Sequence, residues 1–545
     1  MKKYLLLIII ALLPLAGLLP GGLPVTHDGV DHVARIANFY RALSEGVVVP
    51  RWAELLNWGY GHPILMFLYP FSSYTASFFH FIGFSYVDSL KMIFGLGYVA
   101  SGIAMYLWAK EQFDQNVGFA AALLYLFAPY RFVDLYVRGA IGEHMAFIFP
   151  PLVLYFMIRY FRNEYNKKSS IDLIGVSVSF ALLLLSHNAI SLMFIPIFII
   201  YGVYLSIISK KYNHLLMVGI FFIAGFLLSG FFTIPAFLEG KFTLRDIVTG
   251  NEYRSRFIDN PLKFLYGEWN YGITGQFTVQ IGIAQIAGLL LLPFLFFRKS
   301  IKKSQKILLF ILLLVLLFSL FIQLSVSNFV YEIVTIFKKF QFPWRFLSLT
   351  AFASAVLAAC PLLLLEKKKR VWGVVMIATV LFVTTLPYWK AKAYTQSSDS
   401  FYEQIYNGTT DTGESAPIWS VRFMEKKPQA PIETISGKAL IQQVSRTSTS
   451  HIYTIIVDTE NARLRENTLY FPGWHARVKG KDLPIQFQDP SERGLITFEL
   501  PKGTYDVAVV FEDTKLRLLS NVLTILTALA LFVFGVVVWR KNEKK

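Results

Sequence analysis

Between the first two apolar runs lies THDGVDHVARIANFYRALSEG, residues 26–46. Helical spacing runs from Asp28 to Ser44, with Thr26 or Asp28 near the cap and Gly46 as the stop. Asp28, Asp31, His32 and Arg35 then share one face, at offsets of three, four and seven. Val33, Ile36, Ala37 and Tyr40 point elsewhere. Two carboxylates beside a histidine can act as a general base, and Asp28 with Asp31 can hold a divalent cation. The same residues also read as an acidic helix start with an Asp31–Arg35 pair one turn apart. Spacing alone does not separate the two readings.

Four other groups carry chemistry. PRWAELLNWGYGHP, from Pro50 to Pro63, reads as a fixed loop, and Arg51 among its aromatic residues suits an interfacial anchor or a sugar platform. APYRFVDLYVRGAIGEHMAF gathers Arg131, Asp134, Arg138, Glu143 and His144 at the ends of two apolar runs. Ionisable residues at membrane depth are costly, so they are paired or functional, and Asp134–Arg138 is the simplest pair. His187 sits between two apolar runs in Ser186-His187-Asn188. KKFQFPWRF supplies Lys338, Lys339 and Arg345, suited to phosphate oxygens or to snorkelling at an interface.

The elements that must position these groups are membrane helices. Residues AVILMFWYC make up 55% of the 545, aromatic residues 16% and charged residues 16%, and the mean hydropathy is +0.50. A soluble chain of this length has no core large enough for that much apolar surface. The net charge of +17 does not point to nucleic acid, because the basic residues fall in short clusters between apolar runs. The one cysteine, Cys360, lies inside an apolar run, which excludes an internal disulfide and a cysteine metal site.

About twelve spans are legible, each near the 20 residues a bilayer requires. They lie near 4–21, 88–108, 117–135, 144–161, 171–186, 189–208, 215–237, 277–297, 305–325, 346–365, 371–389 and 518–539. The start, MKKYLLLIIIALLPLAGLLPGG, reads as an uncleaved first helix. Residues 63–85, which contain Pro70, read as re-entrant or interfacial.

Basic clusters at 162–168, 210–211, 298–306, 367–370 and 540–545 then fall on one side, which sets that side and both termini in the cytoplasm. The loop Lys110–Asn116 gives no support, since Glu111 and Asp114 outweigh Lys110. The outer side receives 22–87, 239–276, 326–345 and 390–517. The last is long enough for a domain and alternates like an antiparallel β-sandwich in IYTIIVD, NTLYFPGWHARV, GLITFEL and TYDVAVVF. Residues 395–415, rich in Ser, Thr and Asp, read as a flexible linker leading into it. The expected organisation is a multi-spanning domain over 1–389, an extracytoplasmic domain over 390–517, and a last helix with a basic tail over 518–545.

Taken in order, HDGVDHVARIANFYRALSEGVVVPRW, GYGHP, PYRFVDLYVRGAIGEH, SHN and FQFPWRF resemble a family of bacterial membrane proteins labelled "6-pyruvoyl-tetrahydropterin synthase-related domain", over roughly residues 1–390. The soluble synthase of that name uses a histidine zinc site, which has no counterpart here. The segment from NTLYFPGWHARV to FEDTKLR is similar to the end of YfhO-type membrane proteins. The whole resembles polytopic, C-type glycosyltransferases. Such enzymes keep acidic catalytic residues in the first outer loop and draw sugars from a polyprenyl-phosphate donor.

The resemblance implies catalytic roles for Asp28, Asp31 and His32. This chain has Asp-x-x-Asp-His where some members have an adjacent acidic pair. It implies substrate contacts for Arg35, Arg51, Arg131, Arg138, Glu143, His187, Lys338 and Arg345, with a divalent cation as the one candidate cofactor. Partners would be the bilayer, a polyprenyl-phosphate-linked sugar, and a glycan, lipid or protein acceptor in the cell envelope, with the plasma (inner) membrane as the location. Two other functions compete. A transporter or flippase of a lipid-linked substrate predicts ionisable residues along mid-span, where the sequence offers few beyond Asp172. A non-catalytic envelope assembly factor is the other.

Overall fold

The computed structural model describes residues 2–163, 167–273 and 276–541, so Lys544 and Lys545 of the basic tail lie outside the described residues. Helix α1, Lys2–Leu12, gives way to a 3-10 turn at Leu13–Leu18, where Pro14 removes a helical donor. A two-residue strand β1, Leu23–Pro24, precedes α2, Gly29–Ser44, which Gly46 ends at φ 91°. Next come α3, Phe71–Phe81, and α4, Tyr86–Gln112. Ser85 caps α4 by accepting from the Asp88 amide, and Asp114 caps α5, Gln115–Leu126, through the amides of Asn116 and Val117.

Among the described residues seven helices are long and apolar enough to cross a membrane. They are Tyr86–Gln112, Ile141–Arg162, Asn188–Ser209, Lys303–Phe321, Pro343–Leu364, Arg370–Tyr388 and Lys515–Val538. Gln115–Leu126 with Pro129–Arg138, and Tyr212–Leu228 with Gly230–Phe242, bend by 47° and 76° and bring the number to nine if each pair is one span. The sequence suggested about twelve. The other three are helical too: the 11-residue α1, the 20-residue Lys167–Ser186, apolar over Ser170–Ser186, and Ile283–Phe297, interrupted before Pro293. Residues 63–85 form a 3-10 turn, Pro63–Met66, and the 11-residue α3, too short to span.

Two opposite faces follow from the contacts. On one, Lys3 donates to Asn116 (2.8 Å), Arg162 to Glu111 (2.8 Å), Arg370 to Asp114, and Tyr204 to the Ser304 carbonyl (3.1 Å). Glu111 and Asp114, which diluted the basic pattern of their loop, thus neutralise arginines from neighbouring basic clusters. On the other face the four long loops bind each other: Leu23–Pro24 pairs with Tyr394–Thr395 (β2), Thr243 bridges Pro417, Ile258 bridges Leu324, and Tyr253 donates to Glu332. We call this the loop face.

The expected sandwich takes the form of one antiparallel six-stranded sheet. It comprises β3, Ile432–Ser436; β4, Ala439–Arg446; β5, Ser450–Leu469; β6, Trp474–Val478; β7, Lys481–Leu483; and β8, Leu495–Phe511. The long strands β5 and β8 run through both halves, β4 pairing with the first half of β5 and β3 with the second. Their register shifts between Val457 and Asn461. Accordingly the buried side chains of β5 change phase, from Tyr453, Ile455 and Val457 to Ala462 and Leu464. The helix Lys515–Lys541 leaves the end of β8 and exposes Ile525, Leu529, Phe532 and Val533, as a lipid-facing helix would.

Candidate functional site

Helix α2 is pinned at its start. The His27 and Asp28 amides donate to the Val137 and Arg138 carbonyls (3.0 and 2.9 Å), so the acidic turn lies against the segment carrying Arg138. Gly139 permits this approach: its φ is +68° and a Cβ there would collide with Thr26 Oγ1. Val33, Ala34 and Ala37 are buried, so the opposite stripe, with Asp28, Asp31, His32 and Arg35, is fixed by core packing. Buried Asn38 accepts from the Leu55 amide (3.0 Å) and ties the following loop to the helix.

The acidic face is not uniform. Burial raises the Asp28 carboxyl above its ordinary range, against the pull of Arg138 and Arg35. Burial, reinforced by Arg35 and Arg138, lowers His32 far below its ordinary value, so the ring is neutral at physiological pH. The Asp31–Arg35 pair expected one turn apart does not form. Asp31 Oδ1 accepts from the Tyr406 hydroxyl (2.9 Å), and Arg35 donates through Nε to Thr410 Oγ1 (3.0 Å) and through Nη2 to the Thr410 carbonyl (2.7 Å).

A narrow cleft of about 20 Å³, room for about one water, lies between α2 and α3. Ile36, Phe39, Leu65, Leu68 and Ile141 form its apolar wall, and His32, Arg35, Tyr69, Ser72 and Ser73 its polar side. His32 Nε2 and Ser72 Oγ have no hydrogen-bond partner, although these residues are only 5% and 3% exposed. Buried polar atoms are seldom left so, and a cleft of this size has room for a water to satisfy them.

Tyr69 closes the cleft against Gly142 and the His187 ring (centroids 4.9 Å apart), and burial pushes its hydroxyl up to about 12. Behind it Glu143 Oε1 accepts from Arg138 (2.8 Å) and Arg345 (3.2 Å), while Oε2 accepts from Tyr130 (2.7 Å). Arg138 also pairs with Asp134 (2.7 Å), as the sequence suggested. His187 approaches Glu143 at 3.9 Å, but this is no ion pair: burial lowers the ring to about 3 and leaves it neutral. Asp28, Asp31, His32, Arg35, Arg138, Glu143, His187 and Arg345 therefore form one contiguous neighbourhood.

Arg51, Arg131 and Lys338 lie apart from it. Arg51 spends all three nitrogens on Asp513 (2.9 Å), Asn521 (3.0 Å) and the Phe231 carbonyl (3.1 Å), joining the first long loop to the last helix. Its neighbour Trp52 is neither anchor nor platform: it is fully buried against Trp474 and Phe511. Arg131 donates to Ser101 (2.9 Å) and is caged by the rings of Phe147, Tyr98 and Tyr125. Lys338 pairs with Glu332 (2.8 Å) at the surface. Asp28 and Asp31 acquire no further acidic or imidazole neighbour suited to a shared cation: among the described residues no three His, Cys, Asp or Glu side chains converge as metal ligands.

Sequence reasoning missed the partners from 399–424. That stretch is no free linker. Its Tyr406 amide donates to the Leu55 carbonyl (2.8 Å), Asn57 and Trp58 donate to the Gly408 and Tyr406 carbonyls, and Asp411 meets His62 (3.3 Å) in a buried pair. Burial alone would raise the Asp411 carboxyl, but His62 and hydrogen bonds from Ser415 and Thr409 hold it well below its ordinary range. The aromatic residues Tyr402 and Tyr406 were the available signal, since free linkers are poor in them.

A family model described as "6-pyruvoyl-tetrahydropterin synthase related domain; membrane protein" matches residues 65–392, which leaves out α2 and everything from Ala393 on. An uncharacterized protein of Lactococcus lactis subsp. cremoris is 24% identical over 277 residues, 49% of this chain and 44% of that one. Among solved structures, arabinofuranosyltransferase AftD from mycobacteria aligns over 72% of this chain and 27% of its own (14% identity, TM-score 0.47). The Archaeoglobus fulgidus oligosaccharyltransferase aligns over 76% and 61% (13%, 0.43), and ArnT from Cupriavidus metallidurans over 73% and 67% (14%, 0.40). The chain thus spans less than half the length of its curated relative and about a quarter of AftD. The family match, which covers more than half of the 545 residues, decides membership: the chain belongs to the membrane proteins of the 6-pyruvoyl-tetrahydropterin synthase related family.

Proposed function

We propose that this protein is a glycosyltransferase of the plasma (inner) membrane that moves a sugar from a polyprenyl-phosphate donor to an extracytoplasmic acceptor, a cell-envelope polymer, lipid or protein. Both termini are then cytoplasmic and the loop face is extracytoplasmic. The observation that carries the reading is the gathering of Asp28, Asp31, His32 and Arg35 at the start of α2, with Arg138 and Arg345 behind them, on the loop face. Carboxylates beside clustered guanidinium groups suit an acceptor hydroxyl and an anionic donor phosphate. A site on that side has no direct access to cytoplasmic nucleotide sugars, so a lipid-carried donor is the consistent source.

In this reading Asp31 takes the proton of an acceptor hydroxyl as its oxygen bonds to the anomeric carbon, and the bond from that carbon to the carrier phosphate breaks. Asp28 supports Asp31 from the preceding turn. Neutral His32 positions groups by hydrogen bonding. Arg35 faces the phosphate, with Arg138 and Arg345 setting a positive field behind it.

The test compares a strain lacking the gene with strains carrying variants at equal membrane level, reading the envelope sugar that the intact chain restores. Asp31→Asn is nearly isosteric and should abolish restoration without lowering abundance. Full restoration by Asp31→Asn would remove Asp31 from the mechanism.

A further inference from the structure

We propose that Tyr406 and Thr410 are positioning residues of the α2 site, so that the site is completed by the segment 399–424 rather than by the membrane helices alone. This rests on the roles given above to Asp31 and Arg35. Tyr406 donates to one Asp31 oxygen, and Thr410 takes two of the Arg35 nitrogens. Together they replace the pairing that Asp31 and Arg35 would otherwise make with each other, and so hold carboxylate and guanidinium apart. Arg35 keeps Nη1 without a hydrogen bond among the described residues, and Arg35 itself lines the cleft.

The backbone supports a dedicated arrangement. Thr410 has φ +65°, a conformation that a β-branched residue adopts only under constraint. Asn57 (φ 54°) and Trp58 (φ 62°), whose amides bind this same segment, are also left-handed. Three of the chain's seven non-glycine residues with positive φ, among the described residues, thus lie in two facing stretches beside α2. The constraint comes from both flanks: the buried His62–Asp411 pair on one side, and the Gly408 and Tyr406 carbonyls on the other. A stretch needed only to connect two domains has no reason to carry such strain.

The test uses the full-length chain and the envelope-sugar assay, with melting temperature in detergent as the second readout. Tyr406→Phe keeps the ring and removes the donor. Thr410→Gly removes the hydroxyl and relieves the backbone, so stability and function should move in opposite directions. Both variants are expected to restore the sugar about tenfold less or worse, the scale of one hydrogen bond to a charged group. Thr410→Gly should melt no lower than the parent, and Thr410→Ser, which keeps the hydroxyl, should restore most of the activity. Wild-type restoration by Tyr406→Phe and Thr410→Gly, with Asp31→Asn inactive, would overturn the positioning role and leave the proposed function standing. Loss of restoration that tracks loss of melting temperature would overturn it as well, as would failure of Thr410→Ser. Full restoration by Asp31→Asn would overturn both readings.

Discussion

Glu143 is the carboxylate on which three stretches of chain converge. It binds Arg138 from the preceding bend, Arg345 from 202 residues away and Tyr130 from the turn below. Removing its charge leaves Arg345 without its carboxylate and Arg138 with Asp134 alone, a change that costs about 3 kcal/mol, the low end for a broken buried pair. Glu143→Gln should therefore lower membrane abundance and melting temperature, whereas Asp31→Asn should change neither. Measuring abundance for both separates a structural carboxylate from a chemical one. Asp28 predicts a third pattern. Its folded pKa is raised above the ordinary 3.8 by burial, so the folded state holds that proton more tightly than the unfolded chain does. Stability is then lost as pH rises from about 3.8 through the folded value, and the cost is fully present once Asp28 is ionised. Asp28→Asn should melt higher at neutral pH and restore less sugar; a lower melting temperature would contradict the burial argument. These residues were legible because helical spacing places them on one face. Their partners were not: Tyr406 and Thr410 each lie 375 residues beyond the α2 residue they bind, and nothing local distinguishes them from a helix pair four apart.

The helix α2 works as an element because its start is fixed to the 137–139 turn. Gly139→Ala should break that seam: the new Cβ meets Thr26 Oγ1, and φ +68° is strained for alanine, at a cost of about 1–3 kcal/mol. The measurable result is a lower melting temperature together with weaker sugar restoration, the latter recovered in part when Thr26→Gly empties the space. The extent of α2 could be read from its sequence because cap, apolar stripe and Gly46 agree. The spans were harder. Pro14 and Pro293 break apolar runs that hydropathy alone counts as whole, and the bends before Pro129 and Gly230 leave no trace in a hydrophobicity window. The stretch 395–415 misled for a chemical reason. Ser, Thr and Asp dominate free linkers, but they also satisfy backbone amides in tight turns, as Asp411 does for Gly413 (2.9 Å) and Ser415 (3.1 Å).

At the scale of the whole molecule, the sheet is clamped to the membrane helices at two kinds of joint. Near the last helix, Arg51 binds Asp513, and Arg517 binds Glu239 (2.8 Å). Over the first long loop, Glu54 enters a buried knot with Arg446 (2.7 Å) and His451 (3.4 Å), both of which also bind Glu466 (2.8 and 3.0 Å). Two carboxylates face two cations, so the knot is balanced only while His451 is protonated. Burial alone would lower His451, but Glu54 and Glu466 outweigh it and raise the ring from 6.5 to about 9. A raised histidine gives its full stabilisation below 6.5 and loses it as pH climbs through about 9. Glu466 runs the other way. Burial opposes its charge, but His451 and Arg446 lower it from 4.5 to about 2, so its contribution is full above 4.5 and lost as pH falls through about 2. The clamp is thus strongest between about 4.5 and 6.5 and weakens toward alkaline pH. Because the 399–424 segment joins the sheet to the α2 site, loosening the knot should reach that site. Between pH 6.5 and 9 the intact chain should show a falling melting temperature and rising amide exchange at Tyr406–Asp411. His451→Gln should melt lower at pH 6 and lose most of that pH slope, since no proton is left to release from the knot. An unchanged slope in His451→Gln would place the alkaline sensitivity elsewhere and leave the knot a passive packing contact.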